Sequence, residues 1–168
     1  MRSLAGEEPT GGGTDVAEGG CGLQKADRRT AYEHNLDRLK RLHHDQCLFN
    51  CRSPWIPDIM VSFDDEGKLH GEFTATAFHQ GYKERVHGGV VAAIVDASMA
   101  QCMMGHGVLG YTADLAIKYR NPLTISSVAS FVTRIVNVNI GMLYTLDCEI
   151  IQERKLVAEA TGRFYKFA

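Results

Sequence analysis

Residues 88–113 read GGVVAAIVDASMAQCMMGHGVLGYTA, and Asp96 is the one formally charged residue among them. A stretch this apolar has to be wrapped by the rest of its chain. An ionised carboxylate inside it is costly unless it is paired or hydrogen-bonded. Length predicts a helix over 88–104, with Gly105 and Gly107 as its stop. The run exceeds the ~18 apolar residues of a membrane span. Asp96, Gln101, His106 and the interspersed glycines favour a buried helix followed by a strand.

The flanking sequence supplies the wrapping. Strand-like segments are predicted at 59–63, 69–78, 111–120, 127–138, 143–151 and 156–167, and 79–85 reads as a loop. Turns fall at Asp64-Asp65-Glu66-Gly67, Asn139-Ile140-Gly141 and Glu153-Arg154-Lys155. Two strands, a buried helix and four strands in a meander describe an α+β domain over 58–168. An antiparallel sheet of five to six strands curls around one long helix. Residues 1–25 are rich in glycine and acids and poor in large apolar side chains, which predicts a disordered tail. Residues 26–57 hold an N-terminal helix and a connecting segment. The helix is expected to start at the capping box Thr30-Ala31-Tyr32-Glu33 and to pack its stripe of Tyr32, Leu36, Leu39 and His43 on the domain's edge.

Composition narrows the function. With 168 residues, 45% of them hydrophobic and 23% charged, the chain is an ordinary globular domain. A formal charge of −2 gives no basic footprint for nucleic acid, and no membrane partner is expected. Five cysteines, an odd number at no dense spacing, read as reduced thiols. Cys47 and Cys51 follow His43 and His44, yet no second ligand pair stands downstream, so no metal is expected. The N-terminus carries Glu7, Glu8, Asp15 and Glu18, unlike a transit peptide, and the expected location is the cytoplasm.

The chemistry centres on the start and middle of the helix. Gly88 and Gly89 sit where a helix N-terminus offers unpaired backbone N–H groups and positive partial charge. Eight helical residues place Asp96 ~12 Å along the axis from Gly88. Both groups can act on one carbonyl only if the acid comes from a second copy lying antiparallel, which two-fold symmetry turns into two equivalent sites. Ala92, Ala93, Ala97, Ser98 and Ala100 would let such helices approach. In that arrangement the N–H of Gly88, with that of Gly89, would hold a developing oxyanion. Asp96 would be a general base or a nucleophile.

VHGGVVAAIVDASMA followed by YTADLAIKYRNPL resembles the hotdog-fold acyl-CoA thioesterases, in particular the branch of the phenylacetate-pathway thioesterase. The resemblance rests on His-Gly-Gly at 87–89, the step from His87 to Asp96 and the step from Asp96 to Thr112. It implies a hotdog fold, an acyl-CoA substrate, no cofactor, and a homodimer at minimum that assembles to a tetramer or higher. It makes Asp96 the catalytic carboxylate, Gly88 the carbonyl-polarising backbone and His87 the residue that fixes the loop and orients the thioester. Thr112 would hold the attacking water or the acid. Tyr119, Arg120 and Asn121, with Asn139, Ile140, Gly141 and Met142, fall where the family binds the coenzyme A arm. There are two departures. Gly81, beside Gln80, stands where some relatives have Asn or Gln, and Gly141-Met142 lacks the cation common after that glycine. Arg134, Arg154 and Lys155 are the candidates to replace it.

Two further readings fit the same residues. A hotdog dehydratase or hydratase of 3-hydroxyacyl thioesters would pair His87 with Asp96. A non-catalytic acyl-CoA-binding module would use the tail and N-terminal helix for recognition. Acyl selectivity is expected to depend on the packing of Met99, Met103, Phe78 and Tyr82.

Overall fold

The computed structural model of the chain describes residues 20–49 and 54–167. Most of the expected tail, and Cys51, lie outside them. The first helix, α1 (Gly20–His43), begins ten residues before the expected capping box. Residues 20–29 are mostly good helix formers, so the helix runs through Thr30. Glu33 accepts from Arg29 one turn earlier at 3.2 Å rather than reaching back to a cap. Leu36 and Leu39 are buried, whereas His43 is exposed. These leucines join the main core instead of sealing an edge, with α1 lying along α2 (Gly88–Gly105).

Strands β1 (Ile59–Phe63) and β2 (Leu69–Thr74) form a hairpin. The chain then makes a 3-10 turn at Ala77–His79 and a two-stranded ribbon, β3 (Gln80–Tyr82) with β4 (Arg85–Val86). The second strand is therefore shorter than expected, and the expected loop is partly paired. The N–H of Thr76 donates to Nδ1 of His79 at 2.8 Å, which turns the backbone out of the sheet. After α2 come β5 (Gly110–Tyr119), β6 (Val128–Asn139), β7 (Leu143–Gln152) and β8 (Lys155–Lys166). All six long strands are antiparallel, in the order β1-β2-β6-β7-β8-β5. The hairpins after β6 and β7 carry positive φ at Ile140 and Gly141, and at Glu153 and Arg154, as tight primed turns require.

The sheet curls around α2. Val91, Ile94, Val95, Met99, Cys102 and Met103 are buried against Phe73, Phe131, Leu146, Ile150 and Phe164. Two glycines make room for the rings. A Cβ on Gly71 would lie 2.1 Å from Phe131, and one on Gly105 would lie 2.0 Å from Phe63. By length and hydropathy α2 could cross a membrane, but most of it is buried within the fold.

Only one face of α2 stays partly open, the one with Ala92, Ala93, Asp96 and Ala100. Strand β5 beside it pairs only with β8 and is the most exposed long strand.

Candidate active site

The turn into α2 is pinned before the helix begins. His87 N–H donates to the carbonyl of His79 at 2.8 Å, and Val86 N–H to that of Leu123 at 2.9 Å. The segment containing Leu123 is held by buried Gln152. Its Oε1 accepts from both N–H and Oγ1 of Thr124, and its Nε2 donates to the carbonyls of Thr124 and Ser127. His87 is the N-cap, and its Nδ1 accepts the N–H of Gly89 at 2.9 Å. That bond puts the ring proton of neutral His87 on Nε2. It also spends the Gly89 donor that the sequence reading left for an oxyanion. Gly88 remains as a first-turn N–H with no protein acceptor among the described residues. Its carbonyl accepts the Tyr119 hydroxyl at 2.9 Å.

One face further along, the Thr112 hydroxyl donates to Oδ1 of Asp96 at 2.6 Å. No other described residue hydrogen-bonds to this carboxylate. The expectation of full burial is not met within one chain, since Asp96 is half-buried. It lies on the open face of α2, which the sheet does not cover.

A β-bulge brings Thr112 there. Register shifts between Thr112 and Asp114, leaving Ala113 without a partner on β8. Beyond the bulge, Leu115 and Ile117 pack on the core and Tyr119 reaches Gly88. Simple alternation would put Thr112 on the opposite face from these three. The extra residue reverses the parity, so both ends of β5 address α2.

The residues assigned to a coenzyme A arm fall into two groups. Tyr119 pairs with Ala158 on β8, and the turn at 139–142 adjoins Leu143, which brings Tyr165 of β8 opposite it. Seven residues of strand separate these points, ~24 Å. Tyr119, Arg120 and Asn121 are thus near Gly88, whereas Asn139, Ile140, Gly141 and Met142 lie at the other end of the sheet. Asn121 is spent on the carbonyl of Leu156 at 2.7 Å, and Arg120 is paired with Glu159. The guanidinium holds the Glu159 carboxyl below its ordinary range. Of the suggested replacement cations, Arg134 is within 4 Å of Asp147 and Glu149, at 3.8 and 3.9 Å. Arg154 and Lys155 sit in the hairpin at the far end of β7 from Gly141, so strand length keeps them from serving that turn.

Met99 and Met103 are fully buried in the core, where Gly162 and Gly110 make room for them, and Phe78 and Tyr82 are exposed. Asp96 borders a cavity of about 190 Å³ between α2 and the end of α1, with Leu48, Phe49, Ala100 and Met104 on its walls. Lys40 and Gln101 also line it and were not singled out from sequence. The available signal was the position of Lys40 four residues after Leu36, on the buried stripe of α1. His106, which had no assigned partner, donates from Nε2 to the Gly67 carbonyl at 2.9 Å and packs on Tyr32.

The sequence profile of the Thioesterase superfamily matches residues 84–158. Residues 84–158 thus resemble a Thioesterase superfamily domain, and the fold of the chain is the hotdog fold. Over 89 residues it is 35% identical to the mouse acyl-coenzyme A thioesterase THEM4, a match covering 52% of this chain and 38% of that protein. The matched segment therefore spans well under half of the curated relative. The E. coli PaaI protein from the phenylacetic acid degradation operon superposes with a TM-score of 0.69 at 16% identity, covering 83% of this chain and 96% of that one. A hypothetical thioesterase from Streptococcus pneumoniae TIGR4, solved with coenzyme A, gives 0.62 at 17% identity, covering 66% and 90%. Variants of that protein with an aspartate, or a threonine sixteen residues later, changed to alanine have also been solved.

Proposed function

We propose that the chain hydrolyses acyl-CoA thioesters to free acid and coenzyme A, in the cytoplasm, and that it does so as a homodimer at minimum. The observation that carries this reading is the carboxylate of Asp96, fixed through one oxygen by Thr112 while the other has no described partner. Its sixteen-residue step to Thr112 equals the interval between the two positions changed to alanine in the S. pneumoniae protein. The name of the mouse relative and the coenzyme A in the S. pneumoniae structure support the substrate class.

In this reading the thioester carbonyl lies against the free N–H of Gly88. Asp96 of the partner subunit takes a proton from water that attacks the carbonyl carbon, or attacks that carbon itself. Gly88 stabilises the tetrahedral oxyanion, a contribution of ~3–4 kcal/mol for a well-placed donor. The C–S bond then breaks, and the thiolate leaves and takes up a proton. Direct attack forms an anhydride with Asp96 that water must open, so the two routes differ in where solvent oxygen first appears. The small residues of the open α2 face would admit the second helix. The ~24 Å between the two candidate coenzyme A segments would be bridged by drawing one segment from each copy.

The test is thiol release from short, medium, long and aromatic acyl-CoAs by the wild type and Asp96→Asn, with oligomeric state measured alongside. Turnover lost in a variant that keeps its assembly is the expected result. Retained turnover would remove Asp96 from the mechanism. Hydration of an enoyl-CoA without thiol release would replace hydrolysis with the hydratase reading.

A further inference from the structure

The cavity beside Asp96 is mostly apolar but has two polar groups without protein partners. Lys40 lies on the buried stripe of α1, one turn after Leu36, while its neighbours Arg41 and His43 are exposed at the helix end. It lines the cavity with Gln101, Leu48, Phe49, Ala100 and Asp96. No described carboxylate, Asp96 included, comes within ion-pair distance of its ammonium. Burial pushes the Lys40 pKa down, opposed by the charges of Asp37 and Cys47. Gln101, over nine-tenths buried, has an Oε1 with no hydrogen-bond partner. Its amide makes no hydrogen bond with another described residue.

A purely hydrocarbon acyl group has no use for either group. It would leave a partly desolvated cation and a buried amide unsatisfied. A ligand with an anionic end would meet the Lys40 ammonium and could also accept from the Gln101 Nε2 N–H, while the buried Gln101 Oε1, itself an acceptor, gains no partner from it. The ligand's charge would lie away from Asp96 because the chain between spaces the two carboxylates. At ~30 Å³ per small non-hydrogen group, the cavity holds about six such atoms. Beyond a thioester carbonyl, that is three methylenes and a carboxylate.

We propose that this cavity is an acyl pocket selective for short chains ending in a carboxylate, with Lys40 as the residue that sets the selectivity. The proposal rests on the acyl-CoA reading above for the identity of the rest of the ligand. It names Lys40 as a specificity residue, with no part in bond breaking.

Unreactive thioethers separate this proposal from the hydrolase reading, because their binding needs no turnover. Dissociation constants of the full-length protein are measured calorimetrically for S-(4-carboxybutyl)-, S-(5-methylhexyl)- and S-(5-hydroxypentyl)-coenzyme A. The wild type is expected to bind the carboxylate analogue at least about tenfold more tightly than the other two, the scale of a charge-assisted hydrogen bond. Lys40→Met should erase that preference while keeping affinity for the methylhexyl analogue, and Lys40→Arg should keep much of it. Circular dichroism and melting temperature establish that each variant is folded. Equal affinity of the wild type for all three, a preference that survives Lys40→Met, tighter binding of the hydroxyl analogue, or no binding of any would each overturn the proposal. Absence of thiol release alongside a Lys40-dependent preference would sink the hydrolase reading and leave the pocket assignment standing.

Discussion

Thr112 and Asp96 meet at 2.6 Å because β5 carries one residue more than its partner strand requires. Ala113 is that residue. Deleting it would leave Thr112 two residues from Leu115, on the same face by plain alternation, so the deletion variant should keep the Thr112–Asp96 hydrogen bond and near-wild-type activity. For Thr112→Ala, kcat should fall about tenfold to a hundredfold, the worth of a hydrogen bond to a charged group. Thr112→Ser should restore most of it. Steady-state kinetics of the three variants, with circular dichroism for the deletion, check this. A deletion variant as impaired as Thr112→Ala would show that the bulge does more than set which face Thr112 takes.

Proline at position 88 isolates the oxyanion donor. Gly88 is the first helical residue, where proline is favoured, and His87 has φ −64° and ψ 133°, a conformation compatible with a following proline. A Cβ there would meet the Tyr119 ring at an ordinary 3.6 Å. Gly88→Pro should thus fold normally and lose about 10²–10³ in kcat. If each site joins Gly88 of one copy to Asp96 of another, random mixing of Gly88→Pro with Asp96→Asn chains should return about a quarter of wild-type activity through mixed dimers. A mixture as inactive as its components would place both groups of one site in one chain.

The outline of the fold was legible because it depends on patterns that burial imposes. The apolar run around Asp96 could only be a wrapped helix, and the hairpin turns announced themselves through Asn139-Ile140-Gly141 and Glu153-Arg154-Lys155. The bulge at Ala113 was not legible, since it depends on register against β8 and leaves 111–120 reading as an ordinary alternating strand. The start of α1 was misplaced because Thr30 and Glu33 satisfy a local capping rule that helix propagation from residue 20 overrides. Whether Met99 and Met103 belong to the core or line a pocket was not legible, as sequence gives the periodicity of a helix but not which apolar face receives the sheet; both lie in the core.

The two thiols of the core should be silent in the native protein. Burial pushes the Cys102 pKa up to about 12 and raises that of Cys148 as well. The thiolate is the reactive species, so alkylation at pH 8 should occur at these positions only through unfolding. Mass spectrometry of iodoacetamide-treated protein, with and without denaturant, reads this directly. Since an unfolded thiol ionises near 9.0, the unfolded state sheds the Cys102 proton first as pH rises. Its contribution to stability is therefore complete below that value and lost between about pH 9 and pH 12. Cys102→Ala should flatten the alkaline limb of a denaturation series; an unchanged limb would assign it to other groups.

Gly71 is where the sheet tolerates least. Alanine there would drive a methyl into the Phe131 ring, and the ring, itself buried against α2, has little space to yield. Gly71→Ala should cost about 1–3 kcal/mol of unfolding free energy. By contrast, a Cβ on Gly88 has room, so alanine at that position should leave stability nearly unchanged. Urea denaturation of the pair tests the contrast, and equal midpoints would refute it.

An edge ten residues long, such as β5, is a template for any extended chain that drifts near it. The bulge offsets the peptide groups of its two halves, so a straight foreign strand that pairs with one half falls out of step with the other. Asp114 and Arg163, tied together beside the bulge, add charge where an apolar intruder would have to lie. The same extra residue that aims Thr112 at Asp96 therefore also guards the chain against aggregation in the crowded conditions where it is made.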